Sequence, residues 1–76
     1  MTNQEIVNKT LELTKLVMIA KQNGHSLGMD IGDKYISVYD KEKNYAVIGK
    51  IYLFDEYWDT EKMFNEVIGY VKVRYE

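Results

Sequence analysis

The densest chemistry in this sequence lies at Asp55-Glu56-Tyr57-Trp58-Asp59-Thr60-Glu61, where four carboxylates and two large aromatic rings fall within seven residues. Paired carboxylates do acid–base work when their surroundings push their pKa values apart, and an exposed loop offers no burial to do that. Two of the acids have structural uses. Asp59 suits the cap of a following helix, and with Glu61 it complements the positive end of the helix dipole. Trp58, just ahead of that cap, is placed to form a hydrophobic staple with Met63. Asp55, Glu56 and Tyr57 have no such use. Carboxylates around an aromatic ring suit docking onto a basic groove, the charges steering the approach and the ring becoming a buried anchor.

The single histidine, His25, follows a glycine that should end a helix, where it can meet the last carbonyls. With no Cys and no second His, zinc would have only carboxylates as ligands, and no spacing suggests a site. No Ser-His-Asp, Cys-His or phosphate-loop arrangement is present. The expectation is no catalytic residue, no metal and no cofactor, and the chain reads as a protein other than an enzyme.

Tyr35, Tyr39, Tyr52 and Phe54 form a second group, gathered around Lys50. Exposed rings beside a lysine resemble a stacking platform for single-stranded nucleic acid. One lysine is too few to track a phosphate backbone, and a formal charge of −2 lacks the electrostatic footprint of such binding. Direct nucleic-acid binding is therefore not expected. The rings need a cover instead, either a helix of this chain, a second copy or a protein partner.

Leu27-Gly28-Met29-Asp30-Ile31-Gly32, with Asp40 at the end of the next strand, resembles the first phosphate motif of the actin and sugar-kinase superfamily. That family closes two large domains on ATP, and its pattern usually carries Thr or Ser where this chain has Asp33-Lys34. The match covers about a dozen residues that a hairpin also accounts for, through alternating apolar positions and a turn glycine.

The elements that would position these groups follow from periodicity. Thr2-Asn3-Gln4-Glu5 fits a capping box, and a helix then runs to Asn23-Gly24. Ile6, Leu13, Leu16, Val17 and Ala20 gather on one side of it, and Val7, Leu11 and Met18 widen the apolar arc to roughly 220°. Glu5 and Lys9 are spaced for an i,i+4 ion pair. From Leu27 the period becomes two. With Gly32-Asp33 as a two-residue turn, Ile31 pairs with Lys34, Met29 with Ile36 and Leu27 with Val38. The polar loop Asp40-Lys41-Glu42-Lys43-Asn44 then sets Val38 opposite Val47. One face becomes aliphatic, built from Leu27, Met29, Ile36, Val38, Val47 and Ile51. The other becomes aromatic, built from Tyr35, Tyr39, Tyr52 and Phe54, with Ala46, Ile48 and Lys50. After Asp59, Met63, Phe64, Val67, Ile68, Tyr70, Val71 and Tyr75 share one helical arc. Tyr70 to Tyr75 also alternates as a strand would, and the helix is the favoured reading.

The fold expected is α+β, αβββα, a three-stranded antiparallel sheet with two helices packed on its aliphatic face, in one domain spanning residues 1–76. The order resembles the double-stranded RNA-binding domain, but the basic cluster which that family carries at its second helix would fall on Asp59-Thr60-Glu61-Lys62, where acids dominate. The 76 residues are 46% apolar and 29% charged, without Pro or Cys. A core of this size is near the lower limit for independent folding. No targeting segment and no membrane span is expected, and the absence of cysteine suits a cytoplasmic setting.

The functional expectation is a small non-catalytic protein that occludes a protein partner, with Asp55, Glu56, Tyr57, Trp58, Asp59, Glu61, Tyr35, Tyr39, Tyr52 and Phe54 as the binding residues. Its concrete form is a phage or mobile-element anti-defence inhibitor, anti-CRISPR-like, whose acids mimic nucleic acid toward a basic nucleic-acid-binding protein. The alternative is a homo-oligomeric structural domain, such as a homodimer, that buries the aromatic face or the Val7, Leu11 and Met18 stripe by symmetry.

Overall fold

The computed structural model describes residues 1–75. Helix α1 (Asn3–Gln22) starts at the capping box: the Glu5 backbone N–H donates to Thr2 Oγ1 at 3.1 Å, and the Thr2 N–H donates to Glu5 Oε1 at 2.9 Å. These bonds hold the Glu5 carboxyl below its ordinary 4.5. With Glu5 occupied there, Lys9 reaches Glu12 at 3.8 Å and donates to Asn65 Oδ1 at 2.9 Å, so the expected Glu5–Lys9 pair is replaced by a tie to the second helix. α1 stops at Asn23. Gly24 takes φ +92°, and the His25 N–H donates back to the Ala20 carbonyl at 3.0 Å.

Three strands follow, β1 (Leu27–Ile31), β2 (Tyr35–Asp40) and β3 (Ala46–Tyr52), forming an antiparallel sheet in the order β1-β2-β3. The β1–β2 register differs from the sequence reading. Met29 pairs with Val38 and Ile31 with Ile36, and the Gly32 N–H donates to the Tyr35 carbonyl, so Asp33-Lys34 forms the turn. Every β1 residue thus meets a partner two places further along β2 than expected. A shift by two leaves each side chain on its own face, so the aliphatic and aromatic faces survive the error.

A β-bulge between Val38 and Tyr39 does change a face. Val38 pairs with Gly49 and Tyr39 with Val47, leaving Ile48 as the extra residue. Ile48 turns to the core, and Val47, expected on the aliphatic face, is 61% exposed on the other side. The chain enters β3 from a short 3₁₀ turn (Lys41–Lys43), capped by Asp40, through Asn44 and Tyr45, both with positive φ.

Helix α2 (Thr60–Tyr75) passes through Gly69 without a break. Val71 and Tyr75 are buried while Val73 between them is 84% exposed, so the helical period continues where a strand would have put all three on one face. Both helices lie on the aliphatic face, α1 against β1 and α2 against β3, burying Leu13, Leu27, Ile36, Val38, Ile51 and Phe64 to 1% exposure or less. The fold is therefore α+β, in the order α-β-β-β-α. At Gly49 the α2 side chain Val67 packs directly on the strand backbone. Among the described residues no helix is long and apolar enough to cross a membrane.

Candidate protein-binding surface

Among the described residues no helix or strand covers the opposite face of the sheet. Its side chains fall in three cross-strand rows: Gly28–Tyr39–Val47, Asp30–Ser37–Lys50 and Gly32–Tyr35–Tyr52. In the first row the Tyr39 ring lies so closely over Gly28 that a Cβ there would fall 2.3 Å from Tyr39 Cε2. Glycine is what allows that ring to lie flat. In the second, Lys50 Nζ stands 4.2 Å from the Tyr35 ring centroid and 5.2 Å from that of Tyr52, a pair of cation–π contacts. Ser37, small and flanked by rings, is 8% exposed.

Beyond β3 the chain forms a tip at residues 53–59. Phe54 adopts φ +57° and is 70% exposed. The Asp55 carboxylate accepts from the Tyr57 N–H at 2.9 Å, closing an Asx turn, and the Asp59 carboxylate accepts from the Lys62 N–H at 3.1 Å as the cap of α2. The Thr60 hydroxyl donates to the Tyr52 carbonyl at 2.8 Å. Trp58 stacks on Tyr52 with centroids 5.1 Å apart and planes inclined by 18°, which sets its ring against the sheet. These bonds shape the tip, on which Trp58 lies against the sheet while Phe54 and Tyr57 stay exposed. Tyr57 is 95% exposed and Trp58 50%. An open cleft of about 310 Å³ runs between the tip and Met1 and Ile6 at the start of α1.

The structure joins the two groups that the sequence kept apart. Tyr35 meets Tyr52 edge-on at 6.3 Å, Tyr52 stacks on Trp58, and Trp58 continues into Tyr57 and Glu56. Tyr39 stands at the far end of the face, beside Tyr45, with ring centroids 6.0 Å apart. Two further exposed apolar residues, Tyr45 and Val47, escaped the sequence reading. An aromatic residue in a polar loop was a visible signal for the first, whereas the bulge that exposes the second leaves none. The acids divide into two kinds. Asp55 and Asp59 each have a turn or cap to hold, while Glu56 and Glu61 make no hydrogen bond or ion pair among the described residues. Among those residues no group of three or more His, Cys, Asp or Glu is placed to hold a metal ion.

The arrangement offers exposed aromatic surface edged with negative charge, a combination suited to burying rings and attracting positive charge. Comparison of the chain with protein-family models, with curated proteins and with solved structures returned no match, so this surface and its chemistry are what a functional assignment has to rest on.

Proposed function

We propose that this chain is a small non-catalytic binding protein that occludes a basic surface of a partner protein, using the tip formed by Phe54, Tyr57, Trp58, Glu56 and Glu61. The observation that supports this reading is the posture of the tip. A fixed loop holds an aromatic ring 95% exposed at Tyr57 and another, Phe54, in a left-handed conformation that glycine adopts at lower cost. A loop needed only to connect β3 to α2 gains nothing from either feature. Rigid aromatic anchors ringed by charge are what an interface uses to hold a partner without first ordering the loop.

The partner that fits is a basic, nucleic-acid-binding protein, and its concrete form is a nuclease of a cellular defence, blocked by an inhibitor of phage or mobile-element origin acting in the cytoplasm. The acids contribute mainly steering, because two of the four carboxylates also serve the loop itself. The test is inhibition of nucleic-acid binding and cleavage by purified candidate nucleases, titrated with the wild-type chain and with the variants Glu56→Lys/Glu61→Lys and Tyr57→Ala. The expected outcome is slower association for the charge-reversed chain and faster dissociation for Tyr57→Ala. Inhibition that survives both sets of substitutions unchanged rules the tip out.

A further inference from the structure

We infer that the uncovered face of the sheet is the interface of a twofold dimer, its occupant a second copy of this chain, with β1 of each protomer lying over β3 of its partner. This goes beyond the proposed function and uses a different surface, the sheet face rather than the tip.

The uncovered face is uneven in height. Along β1 the outward residues are Gly28, Asp30 and Gly32, and along β3 they are Val47, Lys50 and Tyr52, row for row. The face is low over Asp30 and Gly32 of β1 and tall over β3, while the Tyr39 ring covers Gly28. A twofold axis parallel to the strands and passing over β2 sets tall on low in two rows, Lys50 over Asp30 and Tyr52 over Gly32, each pair occurring twice, and sets Val47 over the Tyr39 ring that lies on Gly28. The outward residues of β2, Tyr39, Ser37 and Tyr35, lie at the axis and each meets its own copy, with Ser37, 8% exposed, between the two rings. These two rows are complementary to themselves, as an isologous interface requires.

Charge selects the same arrangement. Asp30 and Lys50 occupy one row at opposite edges of the sheet, two strand spacings of about 4.8 Å each apart, and they form no ion pair with each other within the chain. Packed at the ~10 Å separation of stacked sheets, the axis along the strands brings each Asp30 against the Lys50 of the other copy. The other in-plane axis, across the strands, sets lysine on lysine and aspartate on aspartate, which like-charge repulsion opposes. A three-stranded face is small beside a standard interface of ~800 Å² per partner. The pair is therefore expected to form at micromolar concentration rather than below it.

Sedimentation equilibrium of the full chain, from about 1 to 500 μM, reads the dimer directly as twice the 9.0 kDa of one chain. Asp30→Lys and Lys50→Asp, both at exposed positions, should each weaken self-association about tenfold or more, because each substitution sets like charges together at two places. An equimolar mixture of the two variants should associate again, since a chain with lysine at both positions then faces a chain with aspartate at both. Far-UV circular dichroism of each variant verifies the fold, and Val47→Glu, at a site outside the core, weakens the dimer without touching either charge. A chain that stays monomeric to 500 μM overturns the inference. So does a dimer that survives either reversal, or a pair of variants that fails to associate when mixed.

Discussion

Removing one hydroxyl, by Tyr75→Phe, tests how the end of α2 is fastened to the sheet. The Tyr75 hydroxyl donates to Asp40 Oδ2 at 2.8 Å, with Tyr75 5% and Asp40 3% exposed, and Asp40 Oδ1 accepts from the Glu42 N–H at 3.0 Å. Phenylalanine keeps the ring, including its edge-on contact with His25 at 5.1 Å, and leaves one carboxylate oxygen buried without a donor. A hydrogen bond to a charged group contributes about 1.5–3 kcal/mol, so the expected loss is about 2 kcal/mol. For a domain of this size total stability is roughly 4–11 kcal/mol, and the melting temperature should fall by roughly 8–16 °C. The measurement is urea and thermal unfolding at low micromolar concentration and neutral pH, with Asp40→Asn and the double variant to isolate the coupling.

Alkaline pH gives an independent reading of the same bond. Burial, and then the hydrogen bond to Asp40 and its charge, push the Tyr75 hydroxyl from the usual 10.0 up to about 12. The folded state therefore holds this proton more tightly than the unfolded chain does. The stability linked to it is complete below pH 10 and is lost as the pH rises toward about 12. Tyr75→Phe should remove that alkaline loss. A cost under about 0.5 kcal/mol at neutral pH, or an unchanged alkaline limb, refutes the account.

Three other substitutions are expected to separate backbone, packing and surface effects. Gly69→Ala should stabilise the fold by about 0.5–1 kcal/mol in urea titration, since the position is inside α2 and an added Cβ meets nothing within 4 Å. Gly49→Ala should cost about 1–3 kcal/mol in the same titration, because its Cβ would fall 2.6 Å from Val67 Cγ1, a buried and β-branched side chain with little freedom to move. Phe54→Gly should leave thermal stability unchanged or raise it by about 0.5 kcal/mol, relief of the left-handed strain being set against the added flexibility of the unfolded chain, while partner binding measured in parallel falls.

Order, element type and the two-faced character of the sheet were legible in the sequence because they depend on period, caps and breakers. The capping box at Thr2 and Glu5 and Gly24 past the end of α1 each state their element locally, whereas Val71 and Tyr75 suit a strand as well as a helix, and the exposure of Val73 separates the two. Register was not legible in the same way. Gly32-Asp33 and Asp33-Lys34 differ as turns by one step, and both keep Met29 and Ile36 on one face, so the pattern of apolar residues cannot tell them apart. The bulge at Ile48 was hidden for a related reason. Ala46-Val47-Ile48 is apolar throughout, and alternation carries no information where consecutive residues are equally apolar. The candidate site was visible as two unrelated groups of residues. Its unity depends on the Tyr52–Trp58 stack, a contact between a strand and a loop that no spacing specifies.

The two surfaces differ in what their exposure requires. On the sheet face, Lys50 resting on Tyr35 and Tyr52, and Tyr39 lying on Gly28, satisfy one another within the chain, so the face is tolerable alone and a weak, reversible pairing is all that its shape and charge demand. The tip has no such internal satisfaction at Tyr57, whose ring is 95% exposed, and the partner proposed for it would supply that cover. The twofold axis inferred for the sheet face runs along the strands and so leaves both tips at the same end of the pair. A partner with two basic sites at a matching distance would then meet two anchors at once, and the second contact would form at an effective concentration far above that of free protein. In that event Asp30→Lys, which leaves the tip intact, should weaken inhibition of a two-site partner and leave single-site binding unchanged. Equal inhibition by the wild type and by Asp30→Lys at every concentration would show that the tips act one at a time.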